Sequence, residues 1–173
     1  MQEIYIENIR KVLQNKKELE KKLDIKITNR GKNLFVEGEA DNEFTAMQVM
    51  EAINCNFSVQ RALSLNEDNI ILQKINIKDI TKRNDLERVR ARIIGTQGKT
   101  LKTLNNLTEC SISINNNRVG IIGPAQEIED AVDALTSIIN GSKQSNIYSR
   151  LEKRRKYKKE NSPGTDLEDD LSL

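Results

Sequence analysis

The feature that most narrows the fold of this 173-residue chain is a self-correspondence at an offset of 85 residues. Leu34-Phe35-Val36-Glu37-Gly38-Glu39-Ala40 lines up with Val119-Gly120-Ile121-Ile122-Gly123-Pro124-Ala125, and Ala46, Met50 and Ile53 then fall on Ala131, Leu135 and Ile138. Leu19 and Ile27 fall on Leu104 and Ile112 at the same offset. Duplication of one small fold is the economical explanation of a match that keeps both spacing and residue type. The expected organisation is a first domain over 1–68, a second over 69–141, a basic extension over 142–161 with helical spacing, and an acidic disordered tail over 162–173.

The second unit is the more legible. Alternation in Ile75-Asn76-Ile77-Lys78-Asp79-Ile80 reads as a half-buried strand. Asp85 to Ile94 reads as a helix with Leu86, Val89 and Ile93 on one face, and Lys99 to Leu107 as another with Leu101, Leu104 and Leu107 inward. Two short strands follow, Ile112 with Ile114 and Val119 with Ile121, joined at Asn115-Asn116-Asn117. Pro124 suits the first turn of a long helix whose apolar stripe is Ile128, Val132, Leu135 and Ile139, ending near Gly141. The predicted class is α+β, in the order strand, helix, helix, strand, strand, helix.

Between the two helices lies Gly95-Thr96-Gln97-Gly98. Glycines at both ends allow backbone conformations closed to other residues and bring the main chain close to a sugar-phosphate chain. The following helix start offers unpaired amides and a positive dipole end. From Lys82 to Lys102 there are seven basic residues against only Asp85 and Glu87. Such a run is ordinarily a solvated face, but beside a glycine loop it supplies the positive potential that phosphate binding needs. Arg90 and Arg92 flank the loop on one side, Lys99 and Lys102 on the other.

The stretch Arg92-Ile93-Ile94-Gly95-Thr96-Gln97-Gly98-Lys99-Thr100-Leu101-Lys102 is similar to the hallmark of the eukaryotic-type (type I) KH domain, and the element order agrees with that fold. This resemblance implies a three-stranded antiparallel sheet with three helices in each of two tandem units, and a single-stranded RNA-binding module that takes about four nucleotides in an aliphatic groove. Ile94, Leu101 and Ile112 are the candidate floor, though each could equally be core. A P-loop is disfavoured because it needs four residues between its glycines. A helix-turn-helix is disfavoured by the flanking strands.

Composition excludes other classes. Histidine is absent, which removes the usual general base, the common transition-metal ligand and a Ser-His-Asp triad. Cys55 and Cys110 lack paired spacing and read as buried thiols. No cofactor, metal or catalytic residue is expected. With three Phe, three Tyr and no Trp, a large aromatic base-stacking platform is not expected either. No apolar run approaches the roughly 18 residues that cross a bilayer and no basic-then-apolar leader opens the sequence, so the expectation is no membrane and a cytoplasmic location.

In the first unit Val12-Leu13 corresponds to Ile93-Ile94 and Leu19 to Leu104, so six residues do the work of ten. What remains, Gln14-Asn15-Lys16-Lys17, has no glycine, and the unit is expected to keep the fold without the phosphate-gripping turn. Phe57 to Leu65 has helical spacing and should extend the unit's last helix after a break, with Asn66-Glu67-Asp68-Asn69 as a polar boundary. So short a linker predicts two units docked as one body.

Charge reverses within the final segment. Residues 142–161 hold eight basic groups against two acidic ones, and Asp166 to Asp170 adds four acids. Ile147 and Leu151 lie four apart, so the basic stretch can be helical. Arg150, Lys153, Arg154, Arg155 and Lys156 are its candidate contacts, either as an RNA arm or as a helix that docks on a partner.

Phe57-Ser58-Val59-Gln60-Arg61-Ala62-Leu63 before the second unit and Ile147-Tyr148-Ser149-Arg150-Leu151-Glu152-Lys153-Arg154-Arg155 after it extend the likeness over residues 1–158. The tandem resembles the archaeal KH-domain family related to the eukaryotic small-subunit ribosome assembly factor known as the partner of Nob. That resemblance implies binding near the 3′ end of small-subunit ribosomal RNA, with the Nob-type endonuclease and the translation initiation factor two alpha subunit as partners. The alternative is a KH scaffold whose protein contacts carry function; a nucleotide-dependent enzyme is the third reading.

Overall fold

The computed structural model describes residues 1–162; the acidic stretch Asp166–Asp170 lies outside them. The first unit runs β1 (Gln2–Tyr5), α1 (Ile9–Gln14), α2 (Lys16–Leu23), β2 (Ile25–Arg30), β3 (Asn33–Gly38), α3 (Ala40–Asn54) and α4 (Val59–Leu63). The second runs β4 (Ile70–Asn76), a one-turn α5 (Ile77–Ile80), α6 (Leu86–Ile94), α7 (Lys99–Thr108), β5 (Ser111–Asn115), β6 (Arg118–Pro124), α8 (Ala125–Ile139) and α9 (Gln144–Glu160). Each unit has an antiparallel three-stranded sheet, ordered β1-β3-β2 and β4-β6-β5, so the α+β class and the tandem of KH-like units hold.

The repeat governs geometry as well as pattern. Ile27 pairs with Val36 and Ile112 with Ile121, the same register 85 residues apart, and α3 and α8 span equivalent positions. Asp24 and Glu109 end α2 and α7 in the left-handed conformation, and the β turns place Gly31 and Asn116 there. Even a side-chain device recurs: Ile27 N–H donates to Glu20 Oε1 at 2.8 Å, and Ile112 N–H to Asn105 Oδ1 at 3.0 Å. Each bond satisfies an amide on an edge strand from the helix packed over it.

One expected element moves. The strand expected over Ile75–Ile80 is in fact β4, ending at Asn76, and Ile77–Ile80 forms α5. Asn76 stops the strand because its side-chain oxygen accepts the Lys78 amide at 3.1 Å, a helix cap that competes with sheet pairing. Alternation alone missed this because Ile70-Ile71-Leu72, the true start, is a continuous apolar run.

Two cores result. In the first, Val12, Leu19, Ile27, Leu34, Val36, Ala46, Met50 and Ile53 sit between sheet and helices; in the second, Val89, Ile93, Leu104, Val119, Ile121, Leu135 and Ile138 do. The other face of the second sheet is covered by the first unit. Ile122 belongs to the first unit's core, with Ile70 and Leu72 packed against it. At Gly120 an added Cβ would lie 2.7 Å from Phe57 Cε2 and 2.8 Å from Cys55 Cβ, so glycine permits this approach. The Phe57–Leu65 stretch forms α4 and a 3-10 turn after the break at Asn56, with Ser58 Oγ accepting the Arg61 amide at 3.1 Å. Around this apolar contact, Arg118 pairs with Glu7, Lys74 with Glu51, and Asn115 Nδ2 donates to Asn54 O at 2.7 Å.

Candidate nucleic-acid interface

The loop between α6 and α7 is a tight turn. Gly95 has φ 76° and ψ 173°, Gln97 φ 53° and Gly98 φ 73°, so three of its four residues are on the left-handed side of the map. Gly98 N–H donates to Gly95 O at 3.2 Å and Lys99 N–H to Thr96 O, so these two amides are used within the turn. Thr96 and Gln97 are exposed at its tip. An added Cβ at Gly95 would collide with Thr100, whereas at Gly98 it would meet nothing within 4 Å. The first glycine fits the turn to its helix, and the second leaves the outer surface bare.

The basic residues named from sequence divide into two groups. Lys99 and Lys102 are exposed. Arg90 is half-buried and donates to Asn117 Oδ1 of the β5–β6 turn at 2.7 Å. Arg92 donates to Ser142 O at 2.8 Å, and Gln144 Nε2 donates to Arg92 O at 3.2 Å. The two arginines therefore brace the end of α6 that carries the loop. Gln144 was not a sequence candidate; its only signal is position at the start of α9.

The aliphatic candidates form a graded surface, not one open groove. Ile94 is 39% exposed, Leu101 is half-buried, and Ile112 is 5% exposed and belongs to the core. Ile112 can shape a groove from below but offers almost no surface.

The basic extension is the helix α9, docked through Ile147 and Leu151 onto α7 and α8. It is thus neither a free arm nor a helix awaiting a partner along its whole length. Arg154 pairs with Asp130 and Asp133, Lys158 with Glu127 and Asp130 at 2.8 and 2.9 Å, and Arg155 with Glu109 at 3.6 Å. Burial opposes ionisation of Asp130, yet hydrogen bonds from Lys158 and Arg154 hold its carboxyl below the usual aspartate range. Arg150 donates to Ser137 Oγ at 3.1 Å. Lys153 is exposed, and Lys156 is exposed with only a 3.9 Å contact to Glu160.

In the first unit Asn15 alone joins α1 to α2 in place of a glycine turn. Asn15 Nδ2 donates to Lys11 O at 2.8 Å, and Lys16 and Lys22 pair with Glu20 and Glu18. Cys55 and Cys110 are buried; burial raises both thiols, Cys110 to about 11, so neither is primed for chemistry. Among the described residues there is no cluster of three or more metal-ligating side chains, and no helix is long and apolar enough to cross a membrane.

A three-stranded antiparallel sheet under helices, with a glycine-flanked turn between two of them, defines the second unit as a type I KH domain. The family model for the eukaryotic type KH-domain (KH-domain type I), in its PNO1 second-domain form, matches residues 71–156. The chain belongs to the PNO1-type (Dim2p) family of KH proteins. Dim2p of Pyrococcus horikoshii OT3 is 32% identical, with a TM-score of 0.81 over 89% of this chain and all of that one. The P. horikoshii a/eIF2alpha–aDim2p–rRNA complex matches at 30% identity and a TM-score of 0.83, over 90% of this chain and 94% of that one. A KH domain-containing protein of Methanocaldococcus jannaschii is 30% identical over 64% of this chain and 49% of its own length. RNA-binding protein pno1 of Dictyostelium discoideum is 28% identical over 75% of this chain and 58% of its own. The chain thus aligns with roughly half the length of these two curated relatives.

Proposed function

We propose that this protein binds single-stranded RNA through the Gly95–Gly98 turn and assists assembly of the small ribosomal subunit. The observation that carries the reading is the turn itself: a bare, left-handed backbone with exposed Thr96 and Gln97 beside exposed Lys99 and Lys102. Such a surface can meet a phosphate without an intervening side chain. Gly95, Thr96, Gln97, Gly98, Lys99 and Lys102 hold the backbone. Ile94 and Leu101 line the base side, with Ile112 beneath, and Arg90 and Arg92 support the loop.

Support for the finer reading comes from relatives. The structure similar to this chain contains ribosomal RNA and the alpha subunit of initiation factor two, which makes both candidate partners here. The Nob-type endonuclease is a candidate through the family resemblance alone. Of Arg150, Lys153, Arg154, Arg155 and Lys156, the exposed Lys153 and Lys156 are the two best placed to add salt-dependent affinity.

The test is Thr96→Asp/Gln97→Asp. Two carboxylates at the loop tip should cut affinity for single-stranded RNA by about tenfold or more at low salt through repulsion of phosphate, with an unchanged circular dichroism spectrum. Undiminished binding by the folded variant would show that the loop does not hold RNA. Crosslinking in cells followed by sequencing should concentrate reads on small-subunit ribosomal RNA; a dispersed distribution would remove the assembly role.

A further inference from the structure

A second surface adjoins the turn on its far side. Arg88 and Arg92 of α6, Lys99 and Thr103 of α7, and Gln144 and Tyr148 of α9 line an open cleft of about 510 Å³ beside the loop. Lys99 and Thr103 each lie two residues from Leu101, which on a helix sets them on roughly the opposite side. The cleft and the Ile94–Leu101 surface therefore flank α7 on different faces and meet at the loop and Lys99.

Its chemistry is that of a site for one nucleotide. Three cations line it and no carboxylate does. Arg88 is exposed, Lys99 is exposed, and Arg92 keeps part of its guanidinium for Ser142. Thr103 Oγ1 donates to Lys99 O at 2.9 Å and Gln144 Nε2 to Arg92 O, so the exposed Thr96 hydroxyl and Gln144 Oε1 supply the polar partners, and Tyr148 supplies an aromatic wall of the kind on which bases stack. The volume falls within the range of small-ligand sites. The wall exists only because α9 is docked, since Gln144 ties its first turn to the Arg92 carbonyl.

We infer that the RNA strand gripped by the glycine turn continues into this cleft, where Arg88 and Lys99 hold a flanking phosphate and Tyr148 stacks the attached base. This rests on RNA binding at the turn and extends the footprint past the roughly four nucleotides of a KH groove. The helix α9 then serves recognition by forming a wall.

The experiment compares fluorescein-labelled, randomised RNAs of about four and about eight nucleotides by anisotropy, bound to the whole chain. The wild type should bind the longer RNA more tightly, in part because it offers more registers, a gain no substitution changes. Arg88→Gln and, separately, Tyr148→Leu should each weaken the longer RNA by about fivefold while leaving the shorter within about twofold. Tyr148→Leu keeps the apolar packing, so a folded variant is expected; thermal melting checks it. The inference is overturned if both variants bind the longer RNA as the wild type does, or if both lengths weaken alike. Failure of the parent reading looks different: the wild type would bind neither length, or Thr96→Asp/Gln97→Asp would bind both in full.

Discussion

A methyl group added at Gly95 would run into the Thr100 hydroxyl and lie 2.7 Å from the Thr100 amide, at φ 76° and ψ 173°, a region only glycine occupies comfortably. At Gly98 the same methyl meets open space and only the left-handed φ opposes it. Gly95→Ala should therefore cost about 3 kcal/mol or more, and Gly98→Ala about 1 kcal/mol. Urea denaturation of the two variants checks the order, and equal losses would contradict the packing at Thr100. The glycines were legible in the sequence, but their unequal roles were not. That difference depends on how α7 sits against the turn, as does the use of Arg90 and Arg92 as braces, because a charged residue reads the same whether its head is free or bonded.

The helix α9 shows how an element's character depends on what it faces. As a sequence it is a basic segment with two apolar residues four apart; as a structure it is a strap with Ile147 and Leu151 buried and three of its cations paired with carboxylates outside the helix. Leu151→Ala should destabilise the protein by about 2–4 kcal/mol, read by thermal melting, by removing a buried side chain between α7 and α8. Asp130 adds a pH dependence. Its carboxyl is held below its unfolded value, so its contribution is full above that value, near pH 4, and is lost as pH falls through the lower folded one. Protection factors of α9 amides, which divide out the slowing of intrinsic exchange in acid, should fall on acidification through that window, and Asp130→Asn should reduce the dependence, leaving the part due to Glu127, Asp133 and Glu109. An α9 equally protected at pH 2 and pH 6 would show that the ion pairs do not hold it.

At the scale of the whole molecule, the second unit's sheet is covered on one face by its own helices and on the other by the first unit. The first unit therefore has a mechanical role whether or not it touches RNA, since Phe57 and Cys55 close over Gly120. Gly120→Ala should cost about 2 kcal/mol or more and split one cooperative calorimetric transition into two as the units separate. Arg118→Ala, which removes a half-exposed ion pair to Glu7, should cost less than about 1 kcal/mol and leave one transition. Two transitions in the wild type would refute the single docked body.

The duplication, the order of the second unit's main helices and strands, and the glycine turn that the second unit keeps and the first lacks can all be read along the chain. These are local or periodic signals: apolar spacing, a glycine pair, a fixed offset. Packing in three dimensions settles that Ile112 lies under the surface, that β4 stops at Asn76, that α9 folds back on its own domain, and that Gly120 is where the units meet. Those outcomes rest on contacts such as Glu7 with Arg118, 111 residues apart, and Arg154 with Asp130, 24 apart. No spacing in the chain announces such pairs, because burial and charge pairing belong to the packed arrangement, while periodicity belongs to the strand of residues alone.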